Sequence, residues 1–458
     1  MAPPPSDPSD VLGRVLGGTV RGLTRLSGGA SRITSAFDLE RDDGTVRPLI
    51  LQQERGPGLA PGERTGVEAA LLGAAGEVGV PVPGVVAAGA GGGLEPGWLV
   101  VERLEGETIP RRLLRDETWA TARAELTGQC GAALAGIHRI PVERVPGLPR
   151  RDPFHDPLPF LDGLGEARPA LELGVRWLGL HRPDTDRTVT VHGDFRMGNL
   201  LVGPQGLRAV LDWELAHAGD PAEDLGWLCA PAWRFGGAGV VGGLGDLGEL
   251  LAAYEDAGGG RVTPERVRWW QVYATVKWAV ICVLQASVHL GGTSRSVELA
   301  TIGRRVCESE WDLVGLLGIA PADGPRPADS PQPVTTGSPA DMTPPFGRPT
   351  AAELVEAVRE HLDATVGRTE AGRDRFEARV ARNALAMVER ELQSGPALAR
   401  AHARRLDDLG FPDDAALAAA IRSGGFDHDL TGVGGALAAA ARDQLLVANP
   451  DYVATHSG

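Results

Sequence analysis

The order of apolar and polar positions predicts a small sheet at the beginning of the chain. Residues 21–54 alternate apolar and polar side chains, as half-buried strands do, and Asp42-Asp43-Gly44 supplies a turn. Residues 63–80 instead repeat apolar positions every three or four residues, which predicts a helix. Two more strands are predicted at 84–90 and 98–104. These segments together predict a sheet-rich unit with one helix.

The later part of the chain is mostly helical in pattern. Residues 118–140 keep an apolar stripe at helical spacing, and Thr263-Pro264-Glu265 opens a second long helix. Residues 320–349 are rich in Pro, Asp, Ser and Gly, so they cannot bury a core and predict a linker. Further helices are predicted at 370–392, 396–409, 415–422 and 436–447. We therefore predict an N-terminal tail at 1–20, a sheet-rich lobe at 21–104, a helical lobe at 105–319, a linker at 320–349 and an all-α domain at 350–458.

A polar cluster lies near the middle of the chain. His192-Gly193-Asp194 is followed by Arg196 and Asn199, and a second acid, Asp212, comes after a hairpin-like interval. Short apolar runs predict strands on either side of the cluster, and Gly203-Pro204-Gln205-Gly206 supplies the turn between the last two. Since the polar residues stand where strands end, we expect Asp194, Asn199 and Asp212 to lie together at one mouth.

These groups suit the transfer of a phosphoryl group from a nucleotide. Mg²⁺ prefers one or two carboxylates together with phosphate oxygens and water, and Asn199 and Asp212 offer oxygen ligands. Asp194 is placed to orient an attacking hydroxyl and accept its proton, and Arg196 adds positive charge beside it. Kinase catalytic loops have the form H-R-D-x-x-x-x-N, which the interval from Asp194 to Asn199 matches. Gly193 stands at the place of the arginine.

Other interpretations of the cluster stay open. His192 is either a member of the catalytic set or a hydrogen-bonded residue that orients the loop. A hydrolase could use the same region as a metal cluster, although no helical H-E-x-x-H spacing is present; the candidate ligands are His192, Asp194, Asp212, Glu214 and His217. Asp220-Pro221-Ala222-Glu223 predicts the capped start of a helix rather than a site.

This stretch resembles the aminoglycoside phosphotransferase and choline kinase superfamily, whose members carry HGD in place of HRD. Residues 214–226 are similar to a narrower branch that includes the kinase-like domain of acyl-CoA dehydrogenase fusion proteins. The resemblance covers residues from about Leu23 to Leu317. It implies an α+β, two-lobed protein-kinase-like fold followed by a small all-α domain. That last domain resembles a helical domain of unassigned function found with this branch.

The resemblance also implies a nucleotide site in the sheet-rich lobe. Gly28, Gly29 and Ser31 would cover the phosphates with backbone N–H groups. Backbone groups near Glu102 and Leu104 would contact the purine.

The third strand departs from the kinase pattern. Kinases place a lysine there to hold the α- and β-phosphates, and here the matching residue is Gln52. Glu68 falls at the position of the helix glutamate, and with Gln52 opposite it we expect a hydrogen bond and not an ion pair. Arg32 or Arg55 could reach in from the side.

The composition of the chain excludes several kinds of partner and location. The net charge of −15 argues against a general nucleic-acid binder. The four cysteines are scattered without C-x-x-C, so neither a zinc module nor a disulfide framework is indicated. Residues 1–10 lack the basic and apolar parts of a secretory signal, and the apolar segment 274–288 is too short to span a bilayer. We therefore expect a cytoplasmic protein with no membrane partner.

The sequence as a whole predicts an ATP- and Mg²⁺-dependent phosphotransferase that acts on a hydroxyl of a small molecule. The resemblance to the acyl-CoA-associated branch suggests a hydroxyacyl-CoA or a related metabolite as the acceptor. A nucleotide-binding pseudokinase with a regulatory role would explain Gln52, and a metal-dependent hydrolase is the other alternative. For the all-α domain we expect a protein partner or an intramolecular one.

Overall fold

The computed structural model describes most of the chain and divides it into two compact units. The described residues are 8–26, 32–54, 63–91, 94, 97–154, 161, 166–184, 187–319, 355, 358–360, 362–363, 366 and 372–455. Unit 1 comprises Met1–Asp152 and Asp184–Trp270, and unit 2 comprises Pro153–Pro183 and Gln271–Gly458. The predicted linker at 320–349 lies outside the described residues.

The described strands and helices confirm the predicted α+β fold with a helical C-terminal region. The strands are β1 (Thr19–Arg25), β2 (Arg32–Glu40), β3 (Val46–Glu54), β4 (Val85–Ala90), β5 (Gly97–Glu102), β6 (Val189–Val191), β7 (Leu200–Gly203), β8 (Gly206–Val210) and β9 (His217–Gly219). The helices are α1 (Pro8–Leu16), α2 (Glu63–Glu77), α3 (Pro110–Arg115), α4 (Ala120–Ile137), α5 (Pro169–Leu180), α6 (Ala222–Leu228), α7 (Leu247–Asp256), α8 (Pro264–Leu290), α9 (Val297–Ile302), α10 (Val306–Leu316), α11 (Arg373–Asp408), α12 (Asp414–Arg422), α13 (Leu430–Ala448) and α14 (Pro450–Thr455).

Unit 1 begins with a five-stranded antiparallel sheet in the order β1-β2-β3-β5-β4. Alternate residues of its strands, such as Phe37 and Leu39, enter one apolar core. Val11 and Leu12 of α1 complete that core and are almost fully buried. Residues 8–16, which the sequence assigns to a tail, therefore form a helix that belongs to the sheet-rich lobe.

The remainder of unit 1 holds the polar cluster between two short strand pairs, β6 with β9 and β7 with β8. Pro204 and Gln205 form the turn between β7 and β8, as the glycine and proline pattern predicts. Gln129 of α4 holds this turn: its Nε2 donates to the Gln205 carbonyl at 3.1 Å, and its Oε1 accepts from the Leu207 N–H at 2.6 Å. The polar residues that follow β6 and β8 thus meet in one region of the unit.

Unit 2 joins helices that are distant in sequence. Leu173 of α5 and Val314 of α10 share a core with Leu417, Ile421 and Val433 of the C-terminal helices. Polar contacts border this core: Arg422 Nε donates to Glu172 Oε2 at 3.0 Å, Arg176 Nε to Asp427 Oδ1 at 2.8 Å, and Tyr452 Oη to Asp312 Oδ2 at 2.6 Å. The C-terminal helices therefore pack against α5 and α10 of the same chain.

Two predicted helix boundaries in the C-terminal region are wrong. Pro396, predicted to separate two helices, lies inside α11. The proline removes one backbone hydrogen bond, and contacts with α13 offset that loss: Arg405 Nη2 donates to Asp443 at 2.6 Å and Arg390 Nε to the Val447 carbonyl at 2.7 Å. Pro450, predicted to end the helical region, instead begins α14, where a missing N–H costs nothing.

The apolar segment 274–288, predicted to be too short to span a bilayer, is part of the 27-residue helix α8. By length and composition alone α8 could cross a membrane. In the structure, 56% of its most apolar stretch is buried, as also occurs in core helices. The length of α8 therefore does not distinguish a membrane-spanning helix from a core helix.

The core of unit 2 yields a first prediction. Leu417→Ala should lower the free energy of unfolding by about 3 kcal/mol, because Leu417 is 1% exposed and its removal leaves a cavity. Urea denaturation followed by circular dichroism measures the change. Leu392→Ala, on the 48% exposed Leu392, is the matched control and should change stability by less than about 0.5 kcal/mol. Equal effects of the two substitutions would contradict the packing described here.

Candidate active site

The loop that follows β6 depends on a glycine. Gly193 has φ of +79°, and a Cβ placed there would lie 2.5 Å from the carbonyl oxygen of Leu215 and 3.2 Å from Nδ1 of His217. Any other residue would strain the backbone and overlap Leu215. This close approach explains physically why glycine stands where kinases carry arginine.

A buried carboxylate holds the backbone of the same loop. Asp224 of α6 accepts hydrogen bonds from the backbone N–H groups of His192 at 2.8 Å and Gly193 at 2.9 Å, and His138 Nε2 lies 3.2 Å from it. Burial alone would raise the pKa of Asp224, but the hydrogen bond from His138 and its other donors hold that pKa below its usual range. Asp224 is therefore ionised in the core.

The sequence analysis missed Asp224, because its segment predicts only the start of a helix. The available signal is an acid on a helix whose seven residues are all buried. A fully buried Asp is rare unless it is paired.

His192 is buried and contacts the loop on both sides. Its Nδ1 accepts from the Asp194 N–H at 3.2 Å, and its Nε2 lies 3.1 Å from the Leu211 carbonyl, so the ring proton is on Nε2. Burial lowers the pKa of His192, which keeps the ring neutral. These contacts support the interpretation that His192 orients the loop.

The carboxylate of Asp194 accepts three side-chain hydrogen bonds. Asn199 Nδ2 donates to Oδ2 at 2.6 Å, while Arg196 Nε at 2.9 Å and Trp227 Nε1 at 2.8 Å both donate to Oδ1. Asp194 and Asn199 are thus brought together as predicted. Trp227 was not predicted, because a contact across 33 residues between a loop and a helix leaves no local pattern.

Arg196 is committed to Asp194 in this structure. Besides its hydrogen bond to Oδ1, its guanidinium carbon lies 4.8 Å from the centre of the Trp233 ring, a cation–π distance. The Arg196 side chain is 27% exposed. Its predicted contact with the transferring phosphate stays a prediction.

Asp212 is held on the other side of the loop with φ of +63°, a conformation that is uncommon for a residue with a side chain. The preceding residue, Leu211, donates its N–H to the Asn199 carbonyl at 2.8 Å and lies against His192. Asp212 is therefore fixed beside Asn199. Burial, with the charges of Glu214, Asp194 and Glu68, raises the pKa of Asp212 to about 7.

The ion pair near Asp212 corrects one prediction. Glu68 of α2 is 3% exposed and pairs with Arg32 of β2, not with Gln52. Arg32 Nε also lies 3.5 Å from Glu214 Oε2, and its Nη1 is 3.4 Å from Gln52 Oε1. Burial alone would lower the pKa of Arg32, but Glu68, Glu214 and Asp212 raise it. The predicted hydrogen bond between Gln52 and Glu68 is therefore wrong, whereas the expectation that Arg32 could reach in from the side is confirmed.

The donor set fits a magnesium ion that accompanies phosphates. In the side-chain hydrogen bonds that the structure describes for Asn199, the amide nitrogen is the donor, which leaves the amide oxygen for a metal. Asp212 supplies a carboxylate in surroundings where Glu68 and Glu214 exceed the single charge of Arg32. Within the described residues no three His, Cys, Asp or Glu side chains group closely enough to hold a metal on their own. Mg²⁺ bound through one or two carboxylates and phosphate oxygens needs no such group.

His217, proposed above for a hydrolase cluster, has other partners. Its Nδ1 lies 2.9 Å from the Leu215 carbonyl and its Nε2 lies 3.0 Å from Glu223 Oε2. Burial alone would lower the pKa of His217, but Glu223 raises it. A protonated ring that donates from both nitrogens cannot ligate a metal.

The remaining predicted residues lie in the sheet-rich lobe. Glu102 ends β5, donates its backbone N–H to the Gly84 carbonyl at 2.9 Å and pairs through its side chain with Arg47 at 3.2 Å. Leu104 is half-buried just beyond it. Gly28, Gly29 and Ser31 lie outside the described residues. The purine and phosphate contacts of all five residues stay predictions.

A family model described as the phosphotransferase enzyme family matches residues 22–270, which is more than half of the 458 residues. The chain belongs to this phosphotransferase family. A second model, for a domain of unknown function, matches residues 368–452 in the helical region. Membership confirms the superfamily resemblance predicted from the sequence.

Curated relatives of this phosphotransferase match a short segment. Acyl-CoA dehydrogenase family member 10 of Mus musculus is 49% identical over 63 residues, which is 13% of this chain and 6% of that protein. Acyl-CoA dehydrogenase family member 11 of Gallus gallus is 42% identical over 62 residues, 13% of this chain and 8% of that protein. The chain therefore spans less than a tenth of the length of either relative.

A solved structure shows the same fold. A candidate aminoglycoside phosphotransferase from Ralstonia eutropha aligns with a TM-score of 0.53 at 20% identity, covering 68% of this chain and 98% of that one. The likeness confirms the two-lobed kinase-like fold.

The raised pKa of Asp212 predicts how stability depends on pH. The folded protein keeps this proton up to about pH 7, whereas an unfolded chain loses it near about pH 4, so the wild-type free energy of unfolding should fall as pH rises through this window. Asp212→Asn removes the charge and should be more stable than wild type by about 4 kcal/mol at pH 8, since the pKa of Asp212 rises from its ordinary value of 3.8 to about 7. The advantage should shrink at pH 5.5. Urea denaturation of both proteins, in the presence of a chelator, measures the stability difference at each pH.

Asp256→Asn, on an exposed aspartate of α7, is the matched control and should give the same small change at both pH values. Added Mg²⁺ should remove the advantage of Asp212→Asn at pH 8, because the metal neutralises the carboxylate. An advantage that does not depend on pH would contradict the burial of this charge.

Proposed function

We propose that this phosphotransferase moves the γ-phosphoryl group of ATP, bound with Mg²⁺, to a hydroxyl of a small molecule. The observation that carries the proposal is the convergence of Asp194, Asn199 and Asp212 in unit 1, with the buried cation Arg32 beside them. A nucleotide triphosphate requires both cations and oxygen-ligated metal, and the acceptor requires a base. This site offers each of them.

Asn199 and Asp212 would hold the magnesium ion, which neutralises charge on the phosphates when bound. Asp194 orients the acceptor hydroxyl and takes its proton as the oxygen attacks phosphorus and the bond to ADP breaks. Arg196 steadies the phosphoryl group, which requires it to leave Asp194 Oδ1. Gly28, Gly29 and Ser31 cover the nucleotide.

Arg32 takes the part that the missing lysine has in kinases. It lies next to Gln52 across the β2–β3 ladder, where Thr34 is the direct partner of Gln52, and its pairing with Glu68 holds it in the interior. A guanidinium can bind phosphate oxygens in pairs. This arrangement supports an active enzyme over a pseudokinase, since the cation is relocated and not lost.

For the acceptor we propose a hydroxyacyl-CoA or a related metabolite. The support is the similarity of a short segment to acyl-CoA dehydrogenase family members 10 and 11. ADP release from Mg·ATP should be screened across hydroxylated CoA esters, amino alcohols and sugars. Release only with amino alcohols or sugars would overturn the acyl-CoA assignment.

Asp194→Asn should reduce turnover by ~10²–10⁴-fold, because the amide cannot accept the hydroxyl proton. Affinity for Mg·ATP, measured by calorimetry, should stay within about twofold, since Asp194 is not a proposed metal ligand. Asp246→Asn is the matched control: Asp246 caps α7 through the Glu249 N–H, and asparagine caps equally well. Turnover of Asp194→Asn at the wild-type rate would refute the base role.

Arg32→Ala should weaken Mg·ATP binding by about tenfold or more, by loss of a cation from the phosphates. It should also destabilise the protein by about 3 kcal/mol, because Glu68 keeps a buried charge without its partner. Arg32→Ala with Glu68→Ala should recover much of the stability and none of the affinity. Calorimetry and urea denaturation separate the two effects.

Arg21→Ala is the matched control on the adjacent strand, since Arg21 is 67% exposed and pairs with Glu40. Arg21→Ala should change neither the affinity for Mg·ATP nor the free energy of unfolding appreciably. Wild-type affinity for Mg·ATP in the double variant would exclude Arg32 as a phosphate ligand. ATP-induced stabilisation without phosphate transfer to any acceptor would favour the pseudokinase.

A further inference from the structure

The two oxygens of the Asp194 carboxylate are not equivalent. Oδ1 accepts from Arg196 Nε at 2.9 Å and from Trp227 Nε1 at 2.8 Å. Among the side chains of the described residues, Oδ2 accepts only from Asn199 Nδ2, at 2.6 Å. Each carboxylate oxygen offers about two lone-pair directions. Oδ1 is therefore saturated, and Oδ2 retains a direction for the acceptor hydroxyl.

The two donors on Oδ1 differ in how firmly they are held. Arg196 is 27% exposed and long, and its proposed contact with phosphate takes it away from the carboxylate. Trp227 is 4% exposed, carries one N–H and no acceptor, and packs its ring against Trp233 at 5.3 Å between centroids. When Arg196 moves, Trp227 remains on Oδ1.

Helix α6 explains why the indole reaches this point. Asp224 and Trp227 are three residues apart, so they share one face of the helix. Asp224 binds the backbone N–H groups of His192 and Gly193, while Trp227 binds the carboxylate one residue further along the loop. One buried helix thus fixes both the loop and its reactive side chain.

We propose that Trp227 is a positioning residue that holds Asp194 through Oδ1, so that Oδ2 is the oxygen that receives the acceptor proton. The inference rests on the proposed function. The proton passes from the acceptor hydroxyl to Oδ2 as the new O–P bond forms and the bond from phosphorus to the ADP oxygen breaks. Trp227 itself takes no proton and touches no reactant.

Indole NMR tests the contact without any activity. The chain has ten tryptophans, and the ¹H–¹⁵N indole signal missing from Trp227→Phe identifies Trp227. That signal should move in Asp194→Asn, because the acceptor of the indole N–H changes from a carboxylate to an amide. Trp98→Phe, which removes an indole hydrogen bond to the Gly91 carbonyl at 3.3 Å, is the matched control and should leave the Trp227 signal in place. If the indole signal of Trp227 has the same position in Asp194→Asn as in the wild-type protein, the proposal is wrong.

Kinetics test the positioning role. ADP release from Mg·ATP, with water as acceptor where no alcohol is known, should fall about tenfold in kcat for Trp227→Phe, because the base is less well oriented. KM for ATP should stay within about twofold. Trp98→Phe should leave both kcat and KM unchanged.

The outcomes separate the two levels of inference. A lowered melting temperature with unchanged kcat in Trp227→Phe would show that Trp227 has a merely structural role, and would refute the proposal. If the wild-type protein releases no ADP, an indole signal that responds to Asp194→Asn still supports the contact. The absence of ADP release would then reject the proposed function and not the contact between Trp227 and Asp194.

Discussion

The hydrogen bonds to the buried carboxylate of Asp224 are the contacts on which the active-site geometry depends. Two backbone N–H groups and a histidine replace the water that an ionised carboxylate would otherwise require. Other contacts extend this support to Asp212. Gly193 adopts the positive φ that the turn requires, and His192 Nε2 lies against the Leu211 carbonyl. Leu211 in turn donates its N–H to the Asn199 carbonyl, which fixes the position of the next residue, Asp212. The loop that carries Asp194 is thus held from the core and not from the surface.

Charge around Asp212 is unbalanced in the protein alone. Among the described residues, Glu68, Asp212 and Glu214 outnumber the guanidinium of Arg32. Burial, together with the charges of the neighbouring carboxylates, raises the pKa of Asp212. A divalent cation relieves the excess, while bare phosphates would increase it. Nucleotide and metal are therefore expected to enter as one complex, with Arg32 as the contact that accepts the phosphates.

The spacing of residues along the sequence allowed the centre of the site to be predicted. The side chains that support it depend on tertiary contacts, which leave no local pattern in the sequence. Asp194, Asn199 and Asp212 stand at the ends of short strands with turn residues between them, so their meeting follows from the sequence order. The Arg32–Glu68 pair depends on which residues face each other across β2 and β3, and the Trp227 contact depends on how α6 packs. Pattern alone also misplaced α1, because nine residues are too few to distinguish a docked helix from a tail.

Helix α1 gives the sheet-rich lobe an earlier start than its family resemblance does. The match begins at residue 22, after Val11 and Leu12 have already filled the sheet core, and it stops at residue 270, inside α8. A fragment cut at those two limits would open the core at one end and leave Leu173 of α5 uncovered by the C-terminal helices at the other. The segment that the family model matches is thus smaller than the segment that keeps both apolar cores covered.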